Sequence, residues 1–277
     1  MIKQTHPIVS AEWLNNNLNE SKLIILDASI YADRSENFII DQISIPNAIL
    51  FDLRKDFIDD TSKFPNTIPS AEKFEKNCQK LGINKESTII TYDNRGVFTS
   101  PRAWWLFKSM GHESVYVLNG GLPAWRKEDF QLSNLKTKGN IEGDFKVQYQ
   151  RGNIQKYKDM LAISENNSYC IIDARSEDRF NGVEAEPRPA LKSGHIKNSG
   201  NLPYSKVLKN GFYRTKEELT ILFSKLDVEN KKLVFSCGSG ITACIILLAA
   251  ELVLDNEKSI YDGSWTEWAT NQQLFTT

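Results

Sequence analysis

The residues best suited to chemistry lie in one short segment, Ser-Cys-Gly-Ser-Gly-Ile-Thr-Ala, which spans 236–243 and carries the thiol of Cys237. The apolar stretch before it, 233–236, predicts a strand, and the apolar stretch after it, 243–252, predicts a buried helix. Two glycines let the intervening turn curl tightly. Its N–H groups and the positive end of the helix dipole then face one point, which stabilises the negatively charged sulfur that acts as a nucleophile.

The rest of this loop supplies only neutral groups. Ser239 offers a hydroxyl close to the sulfur, and we predict that it takes part in catalysis with Cys237. Loop residues predicted to contact the substrate are Gly238, Gly240, Ile241 and Thr242. Cysteine-dependent phosphatases and arsenate reductases end a similar loop with an arginine six residues after the cysteine. Position 243 is Ala, so the loop suits a single sulfur atom better than a phosphate dianion.

Size and composition are those of an ordinary soluble globular protein. The chain has 277 residues, of which 40% are hydrophobic and 25% charged, and a net charge of −1. This charge gives no reason to expect nucleic acid or an anionic membrane as a partner. The first seven residues lack a signal-peptide core, and the longest apolar run, 241–254, is too short to span a bilayer. We therefore expect a cytoplasmic protein with reduced cysteines, no metal site and no cofactor.

The sequence contains an internal repeat of about half its length. Three ordered pairs of segments match, namely 23–29 with 169–175, 91–94 with 235–238, and 117–125 with 260–268. The offset between the copies changes only from 146 to 143 residues along the chain. This long-period repeat predicts two homologous domains. The first copy has Asp93 at the position of Cys237, and a carboxylate cannot replace a thiolate in sulfur chemistry.

Each copy alternates short apolar strands with amphipathic helices, a pattern that predicts an α/β fold with a mainly parallel sheet flanked by helices. We place a catalytically silent domain at 1–135, a polar linker at 136–153 and the catalytic domain at 154–277. Because ligands of such sheets bind beyond the carboxyl ends of the strands, Cys237 lies where a site is expected.

The repeated motifs resemble the tandem-domain rhodanese family of sulfurtransferases over nearly the whole chain. They include Gly-Gly-Leu-Pro-Ala-Trp at 120–125 and Asp-Gly-Ser-Trp at 262–265. The Cys-Gly-Ser-Gly-Ile-Thr-Ala loop is similar to that of the family members that use 3-mercaptopyruvate. Thiosulfate sulfurtransferases usually carry basic residues at the two positions after the cysteine, which are Gly238 and Ser239 here.

The resemblance also implies a substrate-binding role for two arginines. Arg179 and Arg188 match the arginines that bind the carboxylate and carbonyl of mercaptopyruvate in the family. Guanidinium groups fit this role because they bind carboxylates through paired N–H bonds. Arg175 and His195, in contrast, are predicted to be structural.

The first half departs from the family at one position. Relatives use an aspartate and a histidine from the first domain as partners of the loop serine. Asp59 matches the aspartate and is a possible contribution to the site, whereas Asn66 stands at the histidine position. A Ser-His-Asp relay through Ser239 is therefore not expected.

The resemblance implies a sulfurtransferase that moves sulfur from 3-mercaptopyruvate through a persulfide on Cys237 and releases pyruvate. The acceptor would be cyanide or a thiol, either a thioredoxin-like protein or a low-molecular-weight thiol. Two alternatives stay open at this point. One is a thiosulfate sulfurtransferase, and the other is a persulfide carrier or binding module without enzymatic activity.

Overall fold

The computed structural model describes residues 6–32, 42–139, 141–188 and 191–274. The chain divides into two compact units that interleave along the sequence. The first unit comprises 1–60, 68–150 and 210–213, and the second comprises 61–67, 151–209 and 214–277.

The first unit is built around a parallel sheet. Its strands are β1 (Ile8–Val9), β2 (Leu23–Asp27), β3 (Ile43–Ser44), β4 (Ile49–Leu50), β5 (Thr88–Tyr92), β6 (Val115–Leu118) and β7 (Ser133–Asn134). Five of them form a sheet in the order β1-β6-β5-β2-β4 with every neighbouring pair parallel, while β3 and β7 pair antiparallel. The helices are α1 (Ala11–Asn16), α2 (Ala71–Lys80), α3 (Ser100–Ser109) and α4 (Gly121–Lys127).

Local chemistry explains where these helices begin. The side-chain oxygen of Ser10 accepts a hydrogen bond from the N–H of Trp13 at 3.1 Å, and Ser70 caps α2 through the N–H of Lys73 at 3.2 Å. Each serine satisfies one of the N–H groups that lack a partner inside the helix.

The second unit repeats this architecture. The strands that follow along the chain are β8 (Ile154–Gln155), β9 (Tyr169–Asp173), β10 (Ser199–Asn201), β11 (Leu208–Lys209), β12 (Phe212–Tyr213), β13 (Lys232–Ser236) and β14 (Lys258–Tyr261), of which β12 lies in the first unit. The helices are α5 (Tyr157–Ile163), α6 (Glu177–Phe180), α7 (Lys216–Phe223), α8 (Ala243–Glu251) and α9 (Ser264–Leu274), with short 3₁₀ turns at 151–153 and 204–207. The parallel sheet has the order β10-β9-β13-β14-β8.

The two sheets share one strand order. Strands β4, β2, β5, β6 and β1 correspond in turn to β10, β9, β13, β14 and β8. The α/β fold with two homologous, mainly parallel sheets is thus confirmed. Helix α8 is buried along its length from Ala243 to Ala250, as its apolar sequence predicts. Within the described ranges, no helix is both long and apolar enough to cross a membrane.

Most of the segment predicted as a linker packs on the first unit. Phe145 is buried among the rings of Phe74 and Phe107, with centroids 5.8 and 5.9 Å away. Its N–H also donates to the carbonyl of Ile83 at 3.1 Å. The residues up to Gln150 group with the first unit because this buried aromatic side chain holds them there.

Candidate active site

Cys237 follows β13, the central strand of the second sheet, and its side chain is enclosed, with 1% of the residue exposed. The backbone N–H of Gly240 donates to Sγ at 3.1 Å. Gly240 has a φ of +84°, a left-handed conformation that glycine adopts without steric cost. The loop therefore curls so that a backbone donor stabilises negative charge on the sulfur.

Ser264 is the second polar group at the sulfur. Its Oγ lies 3.8 Å from Cys237 Sγ, accepts a hydrogen bond from the Cys237 N–H at 3.2 Å and donates to the carbonyl of Tyr261 at 2.9 Å. Ser264 has a φ of +52°, whereas the matching residue in the first copy is Gly121 with a φ of +54°. The Ser264 hydroxyl thus bridges the backbone of Cys237 and that of Tyr261, a contact that glycine at this position would lack.

The start of α9 ties down the loop carbonyls. The N–H of Trp265 donates to the carbonyl of Cys237 at 2.9 Å, and the N–H of Thr266 donates to that of Gly238 at 3.1 Å. The Thr266 hydroxyl adds a bond of 2.6 Å to the same Gly238 oxygen. Donors that a helix leaves unused at its first turn thus fix the shape of the cysteine loop.

Arg188 reaches this anchored loop through Thr266. Its Nη1 donates to Thr266 Oγ1 at 3.3 Å, and the side chain is half-buried. The predicted substrate arginine is therefore tied, through one hydroxyl, to the residue after Cys237.

Arg179 also lies against the loop. Its Nη2 is 3.0 Å from the point that a Cβ at Gly238 would occupy. The guanidinium also pairs with Glu186, at 2.6 Å from Nη2 to Oε2 and 3.2 Å from Nε to Oε1. Glycine at 238 leaves room for the guanidinium, so Arg179 comes within a side chain's reach of the loop.

Glu186 joins this arginine to the core. Its Oε1 accepts from Arg175 Nη1 at 2.7 Å, and Arg175 in turn pairs with Asp173 at 2.7 Å, both side chains being buried. Burial alone would raise the pKa of Glu186, but the hydrogen bonds from Arg179 and Arg175 outweigh burial and lower it. Arg175 thus has the structural place that the sequence predicts, and Glu186 is a fixed anion that holds Arg179.

Ser239 and Asn66 meet in the second unit. The amide Nδ2 of Asn66 lies 3.1 Å from Ser239 Oγ and 3.2 Å from the Ser239 carbonyl oxygen. Ser239 is half-buried, as are Ile241 and Thr242 at the start of α8. Asp59 belongs to the first unit, and its contribution to the site stays a prediction.

The other candidates have structural surroundings. His195 Nδ1 is 2.9 Å from the carbonyl of Phe180, and the two rings stack at 4.1 Å. Cys78, Cys170 and Cys244 carry buried thiols, as Cys237 does. Burial raises the pKa of Cys170 to about 11 and that of Cys78 well above its usual value, so both stay protonated at neutral pH.

In the first copy, a carboxylate fills the corresponding loop. Asp93 follows β5 and is fully buried. Its Oδ2 accepts from the N–H groups of Phe98, Thr99 and Ser100 at 2.8, 3.0 and 2.9 Å, and from the Ser100 hydroxyl at 2.7 Å. Backbone N–H groups thus surround a carboxylate of the protein itself in this loop.

The sequence alone predicts no role for Ser264 or Thr266, and it does not predict that Glu186 pairs with Arg179. Ser264 carried a usable signal, because the repeat places it opposite Gly121 in a turn. Thr266 and Glu186 act through contacts that only the folded chain defines.

Comparison with known proteins agrees with this architecture. The model of the family described as "Rhodanese-like domain" matches residues 10–128 and again 154–271. Both halves of the chain therefore belong to the family of rhodanese-like domains, as the sequence motifs predict.

Individual relatives match over most of their length. The 3-mercaptopyruvate sulfurtransferase of Escherichia coli K12 is 36% identical over 275 residues, which cover 96% of each chain. The mitochondrial thiosulfate/3-mercaptopyruvate sulfurtransferase 1 of Arabidopsis thaliana is 36% identical over 299 residues, covering 99% of this chain and 78% of that one. The crystal structure of Escherichia coli SseA, a 3-mercaptopyruvate sulfotransferase with the rhodanese fold, superimposes with a TM-score of 0.83 at 32% identity and covers 94% of this chain and 99% of its own.

Proposed function

We propose that the protein is a sulfurtransferase that takes sulfur from 3-mercaptopyruvate, carries it as a persulfide on Cys237 and releases pyruvate. The observation that carries the proposal is the Cys237 loop itself. An enclosed thiol at the end of the central strand receives the Gly240 N–H at 3.1 Å, and two arginines, Arg179 and Arg188, lie at the same loop. The 3-mercaptopyruvate sulfurtransferase of Escherichia coli K12, which is 36% identical over 96% of both chains, supports the same assignment.

The reaction balances with the groups of Cys237 and of the substrate alone. The Cys237 thiolate attacks the sulfur of mercaptopyruvate, so a sulfur–sulfur bond forms and the carbon–sulfur bond breaks. The bonding electrons move to carbon and give the enolate of pyruvate. The proton of the substrate thiol, now on the outer sulfur, can pass to this enolate and leave a persulfide anion. A thiolate or cyanide then attacks the outer sulfur and restores the Cys237 thiolate, which is covalent catalysis in two half-reactions.

The arginines suit an α-keto acid. Mercaptopyruvate presents a carboxylate beside a carbonyl, and guanidinium groups donate paired hydrogen bonds to such planar anions. Because Arg179 is held by Glu186 and Arg188 by Thr266, both cations are oriented before a substrate arrives. The Gly240 N–H stabilises the sulfur that stays on the protein, and Ser264 holds the backbone of Cys237 in place.

The first copy of the repeat has no cysteine at the position of Cys237. Since the buried carboxylate of Asp93 fills its loop, we infer that it carries no sulfur. The acceptor, either a thiol or cyanide, and a cytoplasmic location stay predictions.

The test measures turnover with mercaptopyruvate and with thiosulfate side by side, with pyruvate and thiocyanate as the products detected. We expect pyruvate release that is abolished in Cys237→Ser, because an alcohol at its normal pKa does not accept the sulfur. Cys170→Ser is the matched control and should retain activity. Equal turnover by Cys237→Ser and wild type would overturn the proposal.

A further inference from the structure

Asn66 and Ser239 are 173 residues apart in sequence but form a two-point contact inside the second compact unit. One nitrogen, Nδ2 of Asn66, lies 3.1 Å from the Ser239 hydroxyl oxygen and 3.2 Å from the Ser239 carbonyl oxygen. Asn66 has a φ of +60°, a left-handed conformation that asparagine tolerates better than most residues. Both residues are half-buried, so the contact lies where a small molecule can reach it.

The carbonyl oxygen decides the direction of both hydrogen bonds. A backbone carbonyl only accepts, so the end of the Asn66 amide that faces it must be the nitrogen. The same nitrogen faces Ser239 Oγ, and an amide nitrogen only donates. Ser239 Oγ is therefore the acceptor in this pair, and its own hydrogen points elsewhere.

That hydrogen has no partner among the residues that the structure describes. The two bonds from Asn66 are the contacts of the Ser239 side chain and carbonyl there, and neither uses the hydroxyl proton. Ser239 follows Cys237 by two residues in the same loop, and Gly238 between them faces Arg179. The free O–H is thus a donor presented to whatever binds beside the sulfur.

We propose that Asn66 is a positioning residue that fixes Ser239 as a hydrogen-bond donor to the substrate oxygen that becomes negative, and that no proton leaves Ser239 during turnover. This proposal rests on the proposed function, because that oxygen is the keto oxygen of mercaptopyruvate. An amide does not take up a proton near neutral pH, so Asn66 cannot act as a base towards the hydroxyl. A donor aimed at a developing enolate stabilises the transition state more than the ground state.

The proton balance is complete without a relay. When the carbon–sulfur bond breaks, the enolate oxygen accepts the Ser239 hydrogen bond and keeps the negative charge. The proton that the methylene carbon needs comes from the former substrate thiol, which becomes the outer persulfide sulfur. Ser239 keeps its proton throughout, so the rate of pyruvate formation should show no titration that belongs to Ser239 and Asn66.

Asn66→Asp tests the direction of the hydrogen bond with almost no change in shape. A carboxylate only accepts, so it would turn the Ser239 hydrogen towards itself and away from the substrate. We expect kcat for pyruvate release to fall by about 10- to 100-fold, as for the loss of one hydrogen bond to a charged group, with KM little changed. Asn230→Asp is the matched control, since Asn230 is exposed, lies in the same unit and has a similar φ of +55°.

The second half-reaction separates this role from a structural one. Transfer from a persulfide preloaded with polysulfide to cyanide forms no enolate, so Asn66→Asp should leave its rate unchanged. Equal loss in both half-reactions, or a loss no greater than in Asn230→Asp, would overturn the proposal. In Asn66→His a new pH dependence of kcat near the usual imidazole pKa, about 6.5, is expected, and the wild type should lack it. A wild type that releases no pyruvate from mercaptopyruvate would instead refute the proposed function.

Discussion

The N–H of Gly240 points at the Sγ of Cys237 from 3.1 Å, and it does so from a backbone φ of +84°. Gly240 therefore has two roles. Its left-handed conformation turns the loop, and its N–H donates the hydrogen bond to the Cys237 sulfur. The Ser264 hydroxyl and the first turn of α9 hold the backbone of the same loop in place.

Gly240→Ala should impair both stability and activity. A side chain at this φ costs about 1–2 kcal/mol, and relief of the strain would move the N–H away from the sulfur. We expect a lower free energy of unfolding by that amount and a slower formation of the persulfide. Chemical denaturation and single-turnover kinetics measure the two effects. Gly152→Ala is the control, since an added Cβ there meets nothing within 4 Å. If Gly240→Ala changed the free energy of unfolding and the rate of persulfide formation as little as Gly152→Ala does, the proposed role of Gly240 would be contradicted.

Arg188→Ala should act mainly on the keto-acid donor. Loss of a charge-assisted hydrogen bond to the carboxylate lowers kcat/KM for mercaptopyruvate by a factor corresponding to about 1.5–3 kcal/mol. We also expect wild-type kcat/KM to be higher with mercaptopyruvate than with thiosulfate, because loop residues 238–242 carry no cation. Steady-state kinetics with both donors measure this. The control is Arg151→Ala, whose partners Asp159 and Ile154 lie away from the loop. A neutral Arg188→Ala variant would argue against its role in binding.

Glu186→Gln should reduce stability in a manner that depends on pH. The side chain is 1% exposed and pairs with two guanidinium groups, which, despite burial, hold the pKa of Glu186 below its usual 4.5. A carboxylate whose pKa is lowered by folding stabilises the folded state at pH values above the pKa that it has in the unfolded chain. This contribution is lost as the pH falls through the pKa that it has in the folded protein. The gap in free energy of unfolding between wild type and variant should therefore be about 3 kcal/mol near neutral pH and should narrow below about pH 4.5.

Denaturant titrations across this pH range measure the gap, with Glu184→Gln as the control because that side chain is exposed. A gap that stays constant with pH would show that Glu186 does not stabilise the fold as a charge. The same variant should raise KM for mercaptopyruvate, since Arg179 loses the partner that orients it.

The sequence was enough to predict the features that depend on local pattern. Strand β13, the glycine turn at Cys237 and helix α8 are contiguous, so periodicity and glycine spacing predict them. The repeat similarly predicts two sheets of one strand order. Local pattern does not predict the partners of the loop. Asn66 is distant in sequence, and only the family resemblance indicated its position next to Ser239, whereas Thr266 meets the loop through the packing of α9. Their positions follow from the tertiary fold rather than from any local propensity.

The most direct test of the central claim is to incubate the full chain with 3-mercaptopyruvate in the absence of an acceptor and to map the modified peptide by mass spectrometry. The account predicts one added sulfur atom on the peptide that contains Cys237, one pyruvate released for each protein molecule, and loss of the added mass on treatment with cyanide. Added sulfur on Cys78, Cys170 or Cys244 instead, or pyruvate release with no sulfur on Cys237, would contradict it.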